Sequence, residues 1–190
     1  MVELLSPAGN FISLRSVLEN GADATYIGLD EYNMRANANN FSLDNLKEVS
    51  KIAKEYSAKT HLCTNIMLNE NAAINLQKPL PIIAEADIDG VILSDIGLIE
   101  DAVNNGLEAH ISVQENTSNS FTLKTLKKLG AKRAILSREL SLEQIRKITE
   151  NSPIETEVFI HGAMCMAISG RCFLSNALYG RSANGGDCLQ

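Results

Sequence analysis

The sequence lacks long apolar runs, a surplus of positive charge and the short signatures of nucleotide or zinc sites. Each absence removes a class of function. The longest apolar runs in the 190 residues are a few residues each, too short to span a bilayer. The opening residues, MVELLSPAGN, hold no basic region followed by an apolar core, so no export signal is expected and the cytoplasm is the expected compartment. With 17 Lys and Arg against 23 Asp and Glu, the formal charge is −6. That argues against a strongly basic groove of the kind phosphate contacts need. The densest cationic run is Lys124, Lys127, Lys128, Lys132 and Arg133. Its spacing among Leu123, Leu126 and Leu129 reads as the wet face of one helix, with an anion site as the alternative. There is no Gly-rich dinucleotide fingerprint, no HExxH zinc pair, no GxSxG elbow and no CxxC pair. Repeated motifs and low-complexity tracts are absent as well.

What is present is a chain of one-domain length, with 45% apolar residues, enough for a proper core. Short apolar runs alternate with amphipathic stretches. The expected strands are Glu3 to Ser6, Ala24 to Leu29, Ala58 to Ile66, Gly90 to Ser94, Ala109 to Val113, Arg133 to Leu136 and Glu157 to Ile160. Between them lie expected helices with recognisable ends. Asn10 caps Phe11 to Glu19, Ser42 caps a helix with Leu46, Val49 and Ile52 on one face, and Ser141 with Gln144 forms a capping box. The stretch Asn69 to Ala86 is mostly helical, with Pro79 and Pro81 delaying or breaking it. Such βα alternation implies parallel strands with right-handed crossovers, and seven units without a dinucleotide fingerprint favour a (β/α) TIM-type barrel. The eighth strand is missing. The expectation is an incomplete barrel, residues 1–190 forming a single N-terminal domain, truncated or completed by a partner.

In such barrels chemistry gathers at the carboxyl ends of the strands. The polar residues expected there are Arg35, Asn65, Asp95, Gln114, Arg138 and His161, with Asn37, Asn40, Ser94, Ser112, Ser137 and Glu139 beside them. This ring of amides, hydroxyls, carboxylates and cations suits a polar or anionic small molecule. Each residue taken singly also reads as a loop cap or turn. Asp95, Gln114 and His161 are the expected catalytic residues; Arg35, Asn65 and Arg138 are expected to bind substrate.

Three of the four cysteines stand in the last stretch, EVFIHGAMCMAISGRCFLSNALYGRSANGGDCLQ. Without an export signal they read as reduced thiols, metal ligands or catalysts. Cys165 and Cys172 are seven residues apart and Cys188 follows after fifteen more. That is no zinc-knuckle spacing, but iron–sulfur clusters tolerate varied spacings. Cys63, inside a strand, reads as a small buried hydrophobe. His161, four residues before Cys165, keeps a Cys/His nucleophile arithmetically open.

The same stretch, with a strand, His-Gly, Cys, Ser-Gly-x-Cys and a later Cys, resembles the signature of the peptidase U32 family. The opening ELLSPAGNFISLRSVLENGADATYIGLDEYNMRANANNF is similar to that family's N-terminal pattern. The resemblance covers essentially the whole chain, and members run to roughly twice its length. It implies a collagenase-like protease by family name. Better understood members it resembles are oxygen-independent hydroxylases with a [4Fe–4S] cluster. They modify a tRNA wobble uridine or a ribosomal RNA cytidine, with prephenate implicated as the hydroxyl source, or hydroxylate a quinone precursor, some of them as paired unlike subunits. Carried over residue by residue, Cys165, Cys172 and Cys188 match three cluster ligands, the fourth lying beyond Gln190. Three readings follow: an RNA hydroxylase whose basic surface lies in the remaining part, a peptidase, and a cluster-holding barrel subunit with a partner. Homo- or hetero-oligomers are compatible with each, and no membrane partner is expected.

Overall fold

The computed structural model describes residues 2–30, 32–34 and 39–189. Among them, seven strands form one parallel sheet in sequence order. They are β1 (Leu5–Pro7), β2 (Ala24–Gly28), β3 (Lys59–Thr64), β4 (Gly90–Leu93), β5 (Glu108–Ile111), β6 (Arg133–Ile135) and β7 (Glu155–Glu157). The connections carry α1 (Phe11–Glu19), α2 (Leu46–Glu55), α3 (Glu70–Gln77), α4 (Leu80–Glu85), α5 (Ile99–Asn104), α6 (Ser120–Leu129) and α7 (Leu142–Glu150). A last helix, α8 (Leu174–Tyr179), lies in the cysteine-bearing segment.

Two of the three expected caps hold; Ser42 instead precedes a 3₁₀ turn, Leu43–Asn45, and its hydroxyl donates to Asn45 Oδ1 at 2.9 Å. Asn10 and Ser13 form a capping box on α1, with Ser13 N–H donating to Asn10 Oδ1 at 2.8 Å. Ser141 and Gln144 do the same on α7. These side chains satisfy amide groups that no helical carbonyl reaches. Between Asn69 and Ala86 the expected helix is two helices, broken between Gln77 and Leu80. Pro79 and Pro81 lack the amide hydrogens a continuous helix would use there.

Alternation along each strand sorts the side chains into two sets. Leu62, Val91, Leu93, Ala109, Ile111 and Ala134 are buried in the main core with Leu14, Val49, Ile83, Ile99 and Leu126 of the helices. The opposite face lies inside the curl. Its upper layer is apolar: Ile92, Val113 and Ile135, with Tyr26 and Cys63 packed against them. Cys63 packs against these hydrophobes but is half-buried, not buried as its strand position implied. Its lower layer is polar, with Lys59, His61, Glu108, His110 and Arg133. Gly90 lies between these strands, where a Cβ would stand 2.6 Å from the Glu108 carbonyl oxygen; only a bare backbone lets β4 and β5 close up at that level.

Two expectations need correction. Arg133 does not join the wet face of α6. Lys124, Lys127 and Lys128 are exposed, whereas Arg133 is buried inside the curl. Its Nη1 donates to Glu3 Oε1 at 2.5 Å, and its Nη2 to Glu155 Oε2 at 2.7 Å. The contact from β6 back to Glu3, two residues before β1, shows how far the sheet has curled. Second, the last strand is Glu155–Glu157, not Glu157 to Ile160. Its register pairs Arg133, Ala134 and Ile135 with Glu155, Thr156 and Glu157. β6 is only that long, so Val158, Phe159 and Ile160 have no ladder to join and are exposed. Among the described residues β1 and β7 pair with one neighbour each, leaving a curled half-barrel with an open seam.

Candidate functional site

Parallel strands deliver their following loops to one end of the sheet, and a cavity of about 260 Å³ opens there. Its polar lining includes Asn65 after β3, Ser94 and Asp95 after β4, and Gln114 and Glu115 after β5. Gly170 and Asn184 of the cysteine-bearing segment cover it. The loops are tied together across the mouth. Asn65 Nδ2 donates to Ser112 Oγ at 3.2 Å, and Asn65 Oδ1 accepts from Met34 N–H at 3.2 Å. Ser94 Oγ donates to the Ile66 carbonyl at 2.5 Å. Asp95 Oδ1 accepts from Gly97 N–H at 2.9 Å and so caps a short turn of 3₁₀ helix. The turn-capping reading of Asp95 and its place in the cavity are thus both true of one side chain.

Glu115 and Asn184 are lining residues that sequence reasoning missed. Although Glu115 is exposed overall, desolvation of its carboxyl, and next the neighbouring Asp95 carboxylate, push its pKa above the usual value, with Arg171 pulling it back. Two carboxylates in one mouth repel, so the proton is held more tightly. The available signal was position: Glu115 closes the 3₁₀ turn Val113–Glu115 that directly follows β5. Asn184 offered no such signal. It is buried, its carbonyl accepts from Met67 N–H at 2.7 Å, and its side chain grips the backbone of Cys172.

The structure thus brings together Asn65, Asp95 and Gln114 of the expected site residues. Arg138 and His161 are not in the cavity lining. His161 is exposed, because it follows Val158–Ile160 outside the sheet. Arg138 is half-buried, and its guanidinium is turned to the cysteine-bearing segment. It donates to Ser169 Oγ from Nε at 3.2 Å, to the Ala167 carbonyl from Nη2 at 2.7 Å, and to the Cys165 carbonyl from Nη1. Arg35 and Asn37 lie outside the described residues.

Cys165 is exposed, Cys172 and Cys188 are half-buried, and no cysteine is in a disulfide. Three reduced thiols on one segment are the right donors for an iron–sulfur cluster. The segment is docked on the mouth. Gly170 has φ +72°, and a Cβ there would collide with the Gln114 carbonyl oxygen. The thiols fit such a group in kind but are not yet gathered. Among the described residues, no three His, Cys, Asp or Glu side chains are placed to hold a metal ion.

The profile of Peptidase family U32 matches residues 9–190. The chain belongs to this family. A U32 chain of this kind has relatives under several names. An uncharacterized protease of Methanocaldococcus jannaschii is 50% identical over 100% of this chain and 48% of its own length. The tRNA hydroxylation protein P1 of Bacillus subtilis is 41% identical over 99% of this chain and 45% of its own length. The 23S rRNA 5-hydroxycytidine C2501 synthase of Escherichia coli is 38% identical over 100% of this chain and 29% of its own length. This U32 chain therefore spans about half, or less, of the relatives it matches. A solved U32 peptidase structure superposes with a TM-score of 0.71 at 17% identity, covering 83% of this chain and 68% of that one. At that identity the likeness is one of fold, and it matches the curled half-barrel.

Proposed function

We propose that this chain is the barrel part of an oxygen-independent iron–sulfur hydroxylase that modifies a pyrimidine of RNA. The observation that carries this is the likeness to the tRNA hydroxylation protein P1 across 99% of the chain, with the ribosomal RNA hydroxycytidine synthase beside it. The cavity supports it. Asn65, Gln114 and Asn184 offer amide donors and acceptors suited to the polar edge of a base, and Asp95 and Glu115 offer carboxylates for holding or moving a proton. Cys165, Cys172 and Cys188 are the proposed cluster ligands. When bound, such a cluster supplies electrons one at a time. The hydroxyl comes from a small donor, prephenate being the one the resemblance implies. With a formal charge of −6, this part contributes little phosphate binding, and RNA affinity belongs to the remaining polypeptide.

The test is mass spectrometry of nucleosides from tRNA and ribosomal RNA of a deletion strain. A hydroxylated pyrimidine should disappear, return with the full-length gene, and stay absent with a Cys165→Ser version. An unchanged nucleoside profile overturns the proposal. The name of the archaeal relative favours a second reading, a peptidase. His161, four residues before Cys165, is exposed and outside the cavity. Cleavage of denatured collagen by the purified full-length protein, lost on a single substitution in the mouth, would reverse the ranking.

A further inference from the structure

Arg138 lies in the loop after β6, the position from which a barrel usually presents a residue to substrate. Its guanidinium instead makes a compact set of contacts with one short stretch of chain. Nε and Nη2 donate to Ser169 Oγ at 3.2 and 3.0 Å, Nη2 also to the Ala167 carbonyl at 2.7 Å, and Nη1 to the Cys165 carbonyl and, at 3.5 Å, to Met164 Sδ. Carbonyls two residues apart converge on the planar fork, so residues 164–169 are wrapped around one cation. The segment has no helix or strand of its own before Leu174, so its shape depends on such external donors.

A second clamp holds the next cysteine. Asn184 Oδ1 accepts from Cys172 N–H at 3.3 Å, and Asn184 Nδ2 donates to the Cys172 carbonyl at 3.1 Å. This pair mimics a strand contact without a strand. Asn184 is itself buried, and its own carbonyl is tied to Met67 N–H. The loop after β3 therefore anchors the clamp. Both clamps grip the backbone at Cys165 and Cys172 and leave the two cysteine side chains out of the grip.

We infer that Arg138 and Asn184 are positioning residues: the first sets the backbone at Cys165, the second at Cys172, so that two thiols on an otherwise irregular segment are presented at the barrel mouth. The inference rests on the cluster-ligand reading for its purpose, but not for its geometry. A lysine at 138 would keep the charge and lose the fork, since a single ammonium cannot span the Cys165 and Ala167 carbonyls and the Ser169 hydroxyl together.

The experiment uses the full-length protein, purified anaerobically, with Arg138→Ala, Arg138→Lys and Asn184→Ala variants. Because Cys165 is exposed, opening is read from the backbone: apo protein is subjected to limited proteolysis, and cleavage of the segment around each cysteine is followed by peptide mass spectrometry. Losing a clamp should raise opening of its segment, and so cleavage, by about tenfold. Arg138→Ala and Arg138→Lys should accelerate cleavage around Cys165 selectively, and Asn184→Ala should accelerate it around Cys172 selectively. Cleavage within β3 around Cys63 reports general unfolding. If cleavage around Cys63 accelerates in Arg138→Ala, the decision passes to Arg138→Lys. Unchanged rates, or a rise shared equally by the Cys165 and Cys172 segments in both kinds of variant, overturn the inference. In parallel, iron and sulfide content and the electron paramagnetic resonance of the reduced reconstituted protein are measured. Both position-138 variants should take up less iron or show an altered signal. Wild-type protein that takes up no iron ends the cluster reading, while the cleavage pattern still decides the clamps.

Discussion

His61 and His110 are fully buried side by side inside the curl, with ring centroids 4.4 Å apart. Three of their four ring nitrogens have no hydrogen-bond partner among the described residues; His110 Nε2 meets Glu108 Oε2 at 3.1 Å. Burial, and then the charge of its neighbour His110, with Arg133 and Lys59 adding and Glu108 opposing, bring the pKa of His61 down to about 3. Burial also lowers that of His110 against the pull of Glu108. Both imidazoles are therefore neutral in the fold at pH values where an unfolded chain already charges them. Below the ordinary value of 6.5 the unfolded state binds more protons, so stability falls as pH drops from there toward 3. The slope is up to about 1.4 kcal/mol per pH unit from His61, and His110 acts in the same direction. Thermal unfolding followed from pH 7 to pH 5 (an order-of-magnitude window set by the same linkage) should show this fall, and His61→Leu should flatten it. An equal slope in the variant would remove His61 from the account. Nothing in the sequence HLCT marked this histidine as buried beside another. Only the pairing of β3 through β4 with β5 puts them side by side.

At the scale of elements, Arg133 does what an eighth strand would otherwise do on the open seam. It stands on β6, reaches Glu155 and, at 3.4 Å, Glu157 on β7, and contacts Glu3 just before β1. Burial raises the pKa of Glu157 against the pull of Arg133, whereas at the more exposed Glu155 the hydrogen bond and charge of Arg133 outweigh desolvation and lower it. Removing Arg133 strips the partly buried Glu3 and Glu157 of this cation, while Glu155 keeps Lys132 at 3.4 Å. Arg133→Ala should therefore cost on the order of 3 kcal/mol, read as a lower denaturation midpoint with an unchanged urea slope. Arg133→Met, which keeps the volume and drops the charge, should cost no less as long as Glu3 and Glu157 remain. A loss below about 1 kcal/mol would put the pair in the class of surface bridges. The alternation and caps of α1, β2 and α7 were legible in sequence because they depend on neighbours within one turn or pleat. The misplacement of β7 had the opposite cause: the apolar run Val158–Ile160 looks like a strand, but strand length is set by the partner ladder.

For the whole molecule, the β7 edge of the sheet and a run of exposed apolar side chains fall on the same part of the chain. Val158, Phe159, Ile160, Met164, Met166 and Phe173 are all exposed, and β7 ends just before them. Unpaired edges and apolar patches favour association. The 190-residue chain alone should sediment as more than a monomer, with the larger species growing at higher concentration, and should bind a hydrophobic dye. A clean monomer at all concentrations would show that the curl protects its own seam.

The sequence by itself determined the βα alternation, the helix ends, the parallel incomplete barrel, and the gathering of cysteines and glycines in one stretch. These are written in periodicity, capping residues and composition, which act over a few neighbours. Tertiary structure alone decided which cations serve which purpose. Arg133 and Arg138 look alike as sequence; one is drawn inside by Glu3, 130 residues away, and the other holds the Cys165 segment from 27 residues away. Likewise Asp95 and Gln114 were legible because strand ends are local, and Glu115 carried the same local signal, whereas Asn184 entered the mouth only once the last segment folded back over β5. Charge and hydrogen-bond partners are chosen by distance in space, and that distance exists only after the sheet has curled.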